Sequence, residues 1–229
     1  MDGSLVMEEG SIYDLMVLLA EQNDPCRTSG WNRLRFGLRH RSTIPLGRAQ
    51  RNVAHHYDLS QQFFELFLDR DMQYSCAYFP DRSNPLNPPD QPCEAVSLEQ
   101  AQFAKKQHIA SKLALEPGMT VLDIGCGWGG LALYLAQTYQ VRVVGITLSE
   151  RQHKRACAEC ARLELQHLVD FRLIDYRNLN ERFDRIVSVG MFEHVGLAHY
   201  DEFFAKIQQL LSADGAALLH TIARLHGPN

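Results

Sequence analysis

From Glu116 onward the chain alternates short apolar runs with amphipathic stretches. Thr120–Ile124, Val141–Ile146, Val169–Leu173, Phe183–Val189 and Gly215–Ile222 are short, rich in apolar residues and read as strands. Leu131–Gln137, Ser149–Leu163 and His199–Leu211 space their apolar residues as helices do, and Ser149 is placed to cap the second of them. Strands alternating with helices predict a mostly parallel sheet covered on both faces. Upstream, the same reading gives helices near Ile12–Gln22 and Ser60–Leu68. A third starts after Ser97 and runs to about Ala114, with Gln100 completing a capping box. Five prolines between Pro80 and Pro92 mark a loop. The chain therefore divides into an N-terminal helical and Arg-rich segment (1–50), a helical segment (51–115) and an α/β core (116–229).

Composition narrows the class. The 229 residues are 45% hydrophobic and 22% charged, as in ordinary globular proteins. No apolar run reaches the ~20 residues of a membrane-spanning helix. The stretch Ile12–Ala20 lacks a basic leader and a cleavage site, so it is not read as a signal peptide. Cys26, Cys76, Cys93, Cys126, Cys157 and Cys160 form no compact disulfide framework. The one C-x-x-C, Cys157–Cys160, lies within a helical pattern without a second pair, so neither zinc nor any other metal is expected. Charge is uneven: seven arginines and no acid lie between Arg27 and Tyr57, leaving the rest strongly acidic. Such a stretch suits an anionic membrane surface or nucleic acid, or is a solvated loop. No aromatic-basic interleaving supports nucleic acid.

The candidate chemistry centres on Gly125-Cys126-Gly127-Trp128-Gly129-Gly130, a glycine loop that follows a strand and opens a helix. It fits both dinucleotides and S-adenosylmethionine. Three features favour the latter. The region at the end of the second strand, Gly145-Ile146-Thr147-Leu148-Ser149, offers no acid for a dinucleotide ribose. Asp123 sits inside the first strand, where a charge is costly without polar work to do; the alternative is that it only caps the loop's amides. Glu193 and His194 follow the fourth strand, at the sheet end where open α/β folds bind ligands.

With its flanking residues, the stretch Val121–Gly130 resembles the cofactor motif of the cyclopropane-fatty-acyl-phospholipid synthase and mycolic-acid cyclopropane synthase family. His56-Tyr57-Asp58-Leu59-Ser60, Met72–Phe79, Gly145–Ser149 with Gln152, Phe183–Ser188, Phe192–Gly196 and Leu219–Ile222 follow in family order, over residues 48–229. The resemblance implies a Rossmann-like S-adenosylmethionine-dependent methyltransferase fold with an N-terminal helical segment, residues 51–115 forming a lid over the cofactor and acyl site. It implies that Tyr74, Ser75, Asp123, Gly125, Gly127 and Gly129 contact the cofactor. Thr147, Leu148, Ser149 and Gln152 hold its ribose and methionine side, and Asp175 and Tyr176 flank the adenine. Cys76, Glu193, His220 and Ile222 line a bicarbonate pocket.

The activity implied is methylene transfer from S-adenosylmethionine to the cis double bond of an unsaturated phospholipid acyl chain, with bicarbonate as the base. Carbocation stabilisation falls to aromatic faces, with Tyr57, Tyr74, Tyr78, Phe79 and Phe192 as candidates; core packing is the alternative for Phe79 and Phe192. The expected setting is cytoplasmic, on the inner face of the membrane, without nucleic acid and with a homodimer left open. Competing readings are a fatty-acid methyltransferase giving a branched chain, a small-molecule methyltransferase, and an inactive cofactor-binding fragment. The last arises because the family's later strands, acyl-channel insertion and bicarbonate-site tyrosine would lie beyond Asn229.

Overall fold

The computed structural model describes residues 61–79 and 96–223. The elements are α1 (Gln61–Glu65), α2 (Leu98–Leu113), β1 (Thr120–Ile124), α3 (Gly130–Tyr139), β2 (Arg142–Thr147), α4 (Glu150–Arg162), β3 (Val169–Leu173), β4 (Phe183–Val189), α5 (Tyr200–Leu210) and β5 (Leu211–His220). Three single-turn 3-10 helices cover Tyr176–Asn178, Phe192–His194 and Leu197–His199. The expected helix at Ile12–Gln22, the Arg27–Tyr57 stretch, the His56–Ser60 motif and the proline loop lie outside the described residues.

The five strands form one sheet in the order β3-β2-β1-β4-β5, and every pair is parallel. Pleat alternation assigns the faces. Val121 on β1, Val143 on β2, Val169 and Phe171 on β3 and Val187 on β4 pack with Ile109 and Leu113 of α2, Leu131 and Leu135 of α3 and Ala156 of α4. Leu122, Ile124, Ile146 and Ile186 point the other way, against Phe192 and Phe203, Ile207 and Leu210 of α5. At ~1.5–3 kcal/mol per buried side chain, these two layers are the main source of stability.

Local signals account for the helix ends. Ser97 accepts from the Gln100 amide, and the Gln100 side chain accepts from the Ser97 amide, closing the expected capping box. Ser149 caps α4 in the same way through the Gln152 amide. At the far end of α2, Arg185 donates to the carbonyls of Leu113 and Ala114, which no helical amide satisfies.

Two elements differ from expectation. The helix expected over Ser60–Leu68 is only Gln61–Glu65 among the described residues. Phe64 turns inward against Trp128 at 5.1 Å, while Leu66 and Phe67 face outward. β5 begins at Leu211, not Gly215, and stops at His220. Leu211 pairs with Phe183, a register shift follows, and Ala216 then pairs with Arg185. Asp184 sits at that irregularity, its carboxylate accepting from the Thr120 amide and hydroxyl at 2.8 Å each and from Ser212.

Candidate functional site

The sheet reverses direction of growth at β1, with β2 on one side and β4 on the other, so a crevice opens at their carboxyl ends. A cavity of about 500 Å³ lies there, within the usual size of small-molecule sites. The glycine loop forms its floor. Gly125 has φ 80°, and a Cβ there would meet Met191 at 2.9 Å. Gly127, at φ 56°, has open space where a side chain would stand, which admits a ligand against the backbone.

Gly129 does something else. A Cβ on it would stand 2.5 Å from the Phe171 ring, and it does not line the cavity. The absence of a side chain here lets α3 pack closely on the sheet. Ser149 is buried, is not among the cavity-lining residues, and its hydroxyl accepts from the Gln152 amide in the α4 cap.

Asp123 is the most informative residue. It is 2% exposed and lines the cavity, yet Oδ2 has no hydrogen-bond partner. It does not cap the first two amides of the loop. The amides of Gly125 and Cys126 both donate to the Ile146 carbonyl, at 3.0 and 2.9 Å. Burial pushes the Asp123 carboxyl up from 3.8 to about 7. A buried acceptor without a donor fits a cationic or N–H-bearing group of a ligand, such as the ammonium of S-adenosylmethionine.

The walls carry the other expected contacts. Thr147, Leu148 and Gln152 line the β2 side, and the Thr147 hydroxyl donates to Gln152 Oε1 at 2.7 Å. Asp175 and Tyr176 line the β3 side. Arg177 already grips the Asp175 carboxylate, with Nε on Oδ1 at 2.9 Å and a terminal nitrogen on Oδ2 at 2.7 Å. Tyr74 and Ser75 close the cavity from a strap that precedes α2.

Sequence reasoning missed what holds that strap. Gln102 on α2 donates to the carbonyls of Gln73 and Ser75 at 3.1 and 3.0 Å, and Lys105 donates to the Ser75 hydroxyl at 2.6 Å. The available signal was polar residues at positions 102, 105 and 106, one stripe of a helix that is otherwise buried at Ala101, Ile109 and Leu113. Trp128 and His194 also line the cavity, as their places in the glycine loop and after β4 lead one to expect, and Met191 joins them.

The residues expected around bicarbonate are partly assembled. Glu193 Oε1 accepts from the Ile222 amide at 2.8 Å, although the Ile222 side chain is 70% exposed. Burial raises the Glu193 carboxyl, but the amides of Ile222 and Glu193 and the Thr221 hydroxyl together hold it below the usual range. His220 ends β5 opposite Val189, and its buried Nδ1 has no partner. Cys76 is exposed on the strap, and no hydrogen bond ties it to the other three. None of the four lines the 500 Å³ cavity itself.

Of the aromatic candidates among the described residues, Tyr74 alone lines the cavity. Phe192 is a core residue, stacked on Tyr200 at 4.3 Å. Tyr78 stacks on His108, and Phe79 is exposed. Tyr57 lies outside the described residues. Cys157 is exposed and Cys160 buried, both as free thiols. Among the described residues no cluster of His, Cys, Asp and Glu could hold a metal, and no helix is long and apolar enough to cross a membrane.

The family model for mycolic acid cyclopropane synthetase matches residues 46–229. The chain belongs to this family. Among curated members, the cyclopropane-fatty-acyl-phospholipid synthase of Escherichia coli K12 is 52% identical over 167 residues, 73% of this chain and 39% of that protein. Cyclopropane mycolic acid synthase 1 of Mycobacterium tuberculosis is 45% identical over 175 residues, 76% of this chain and 57% of its own. The cyclopropane synthase MmaA2 from Mycobacterium tuberculosis superposes with a TM-score of 0.67 at 41% identity, covering 75% of this chain and 56% of that one. A mycolic acid cyclopropane synthase complexed with SAH and CTAB gives 0.65 at 44% identity, covering 74% of this chain and 55% of that one. The fold is thus the Rossmann-like S-adenosylmethionine-dependent methyltransferase fold. This family member spans less than two thirds of the length of these relatives.

Proposed function

We propose that the cavity binds S-adenosylmethionine and that the chain carries the cofactor half of a lipid cyclopropane synthase. The observation that carries this is Asp123: a buried carboxylate oxygen without a donor, facing a cavity over a glycine loop whose first two amides are satisfied elsewhere. Two relatives named as cyclopropane synthases support the reaction type, and one solved with SAH supports the ligand class.

When bound, S-adenosylmethionine supplies an electrophilic one-carbon group. The protein's tasks are to orient it and keep water out, since an isolated alkene is a weak nucleophile and water would trap the carbocation that methyl transfer leaves on the acyl chain. Asp123 takes the ammonium end. The backbone at Gly125 and Gly127 allows close approach, Thr147 and Gln152 hold the ribose side, and Asp175 and Tyr176 flank the adenine. Tyr74 and Ser75 cover the site, with residues 61–79 and α2 acting as the lid. The Tyr74 ring can face the developing cation.

Ring closure needs a base to take one proton from the transferred methyl group. A bound bicarbonate would supply that base, because a small anion would not be consumed by alkylation as a side-chain nucleophile would be. Glu193, kept below the usual carboxylate range by its amide donors, would help hold the anion by accepting a hydrogen bond from its hydroxyl group. His220 Nδ1, without a protein partner, would donate to an oxygen of the anion. Cys76 and the Ile222 backbone complete the pocket. The substrate class is the unsaturated acyl chain of a phospholipid at a membrane surface.

The test is to incubate the protein with S-adenosylmethionine, bicarbonate and vesicles of monounsaturated phospholipid, then analyse the acyl chains by mass spectrometry after double-bond cleavage. The expected product is heavier by one CH2 and resists cleavage. Unaltered chains would refute the proposed activity for this chain.

A further inference from the structure

Three polar side chains on one stripe of α2 are almost fully buried: Gln102 and Lys105 at 3% exposure and Lys106 at 4%. All three reach the strap between Asp69 and Ser75. Lys106 pairs with the Asp71 carboxylate, and Gln102 takes the carbonyls of Gln73 and Ser75. Lys105 alone meets a side chain that lines the cavity, donating to Ser75 Oγ at 2.6 Å. The strap is also held in a costly shape, with Met72 in the left-handed region at φ 55°. Ser75 lies over the end of β4, its Cβ 3.5 Å from where a Cβ on Gly190 would be.

The lysine determines what Ser75 can offer. An ammonium only donates, so it occupies a lone pair of Ser75 Oγ and leaves the hydroxyl hydrogen to turn elsewhere. The open side is the cavity. We propose that Lys105 is a positioning residue that sets the Ser75 hydroxyl as a hydrogen-bond donor to the carboxylate at the amino-acid end of an S-adenosyl compound. This rests on the cofactor reading above.

The surroundings support a switchable donor. Burial lowers Lys105 from 10.5 to about 8, and Lys106 pushes the same way; Asp69 and Cys76 oppose. Below that value the ammonium donates to Ser75. Above it the free amine accepts the Ser75 hydroxyl hydrogen, and the cavity loses its donor.

The experiment compares two ligands by isothermal titration: S-adenosylhomocysteine, and 5′-methylthioadenosine, which keeps adenine, ribose and sulfur but lacks carboxylate and ammonium. For Lys105→Met we expect about tenfold weaker S-adenosylhomocysteine binding and a change under about twofold for methylthioadenosine. Ser75→Ala should repeat that pattern, and it decides the matter if Lys105→Met does not fold. From pH 7 to 9 the preference for S-adenosylhomocysteine should fall more steeply in the unmodified protein than in Lys105→Met. Equal losses for both ligands would reduce Lys105 to a structural strut and overturn the inference, as would no loss for either. If the unmodified protein binds neither, the cofactor reading fails and the inference with it.

Discussion

Asp123→Asn separates stability from function at one atom. The side chain is buried and its Oδ2 has no donor. In the unfolded chain the carboxyl titrates near 3.8; in the fold, burial moves it to about 7. Because the folded value is the higher one, the penalty is absent below pH 3.8, grows between 3.8 and 7, and is complete above 7. Each tenfold weakening of the acid corresponds to ~1.4 kcal/mol, so the full penalty is on the order of 4 kcal/mol. Asparagine keeps the shape and carries no charge. The variant should therefore be more stable than the parent at pH 8 by several kcal/mol, with the advantage shrinking as the pH approaches 4. Binding should move the opposite way. Losing the anionic partner of a ligand ammonium costs ~2–5 kcal/mol in a buried site, so S-adenosylhomocysteine affinity should drop at least about 30-fold. Urea unfolding at pH 4.5 and 8, with calorimetric titration of S-adenosylhomocysteine at pH 8, measures both. A variant no more stable at pH 8, or one that binds as tightly as the parent, would refute the reasoning.

Two further substitutions probe the packing and the base. Gly129→Ala would place a Cβ 2.5 Å from Phe171 at φ 89°; strain and overpacking together should cost about 2–4 kcal/mol in urea unfolding. Glu193→Gln and His220→Ala should each lower the rate of acyl-chain modification, Glu193→Gln by about 100-fold or more, while S-adenosylhomocysteine affinity stays within about twofold in calorimetric titration. Unchanged turnover in both would remove the anion pocket from the mechanism.

Much of the core was legible because its signals are local. Thr120–Ile124, Val169–Leu173 and Phe183–Val189 stand where apolar runs bounded by turn residues placed them, and Ser97 and Ser149 cap the helices they precede. The glycine loop was legible as a loop but not as three separate jobs. Nothing in the spacing says that Gly129 packs against Phe171, a residue 42 positions on. Ser149 carries a related ambiguity: a cap and a ligand contact call for the same hydroxyl. The strap's support was missed because Gln102, Lys105 and Lys106 look like a solvated face until Asp69–Ser75 folds over them. The shift in β5 was invisible because it sits where Asp184 binds Thr120, 64 residues away. The value of Asp123 lies in what it lacks, and an absent partner can be read only from a structure.

In the proposed activity this site delivers a carbon from S-adenosylmethionine to an acyl double bond, and a base then closes the ring. S-adenosylmethionine bearing a fully deuterated methyl group tests both steps at once. With monounsaturated phospholipid vesicles and bicarbonate, mass spectrometry of the acyl chains should find two of the three deuteriums retained, the third having gone to the base. Three retained deuteriums would mean methyl transfer without ring closure, and unlabelled chains would mean no transfer; either result would contradict the account.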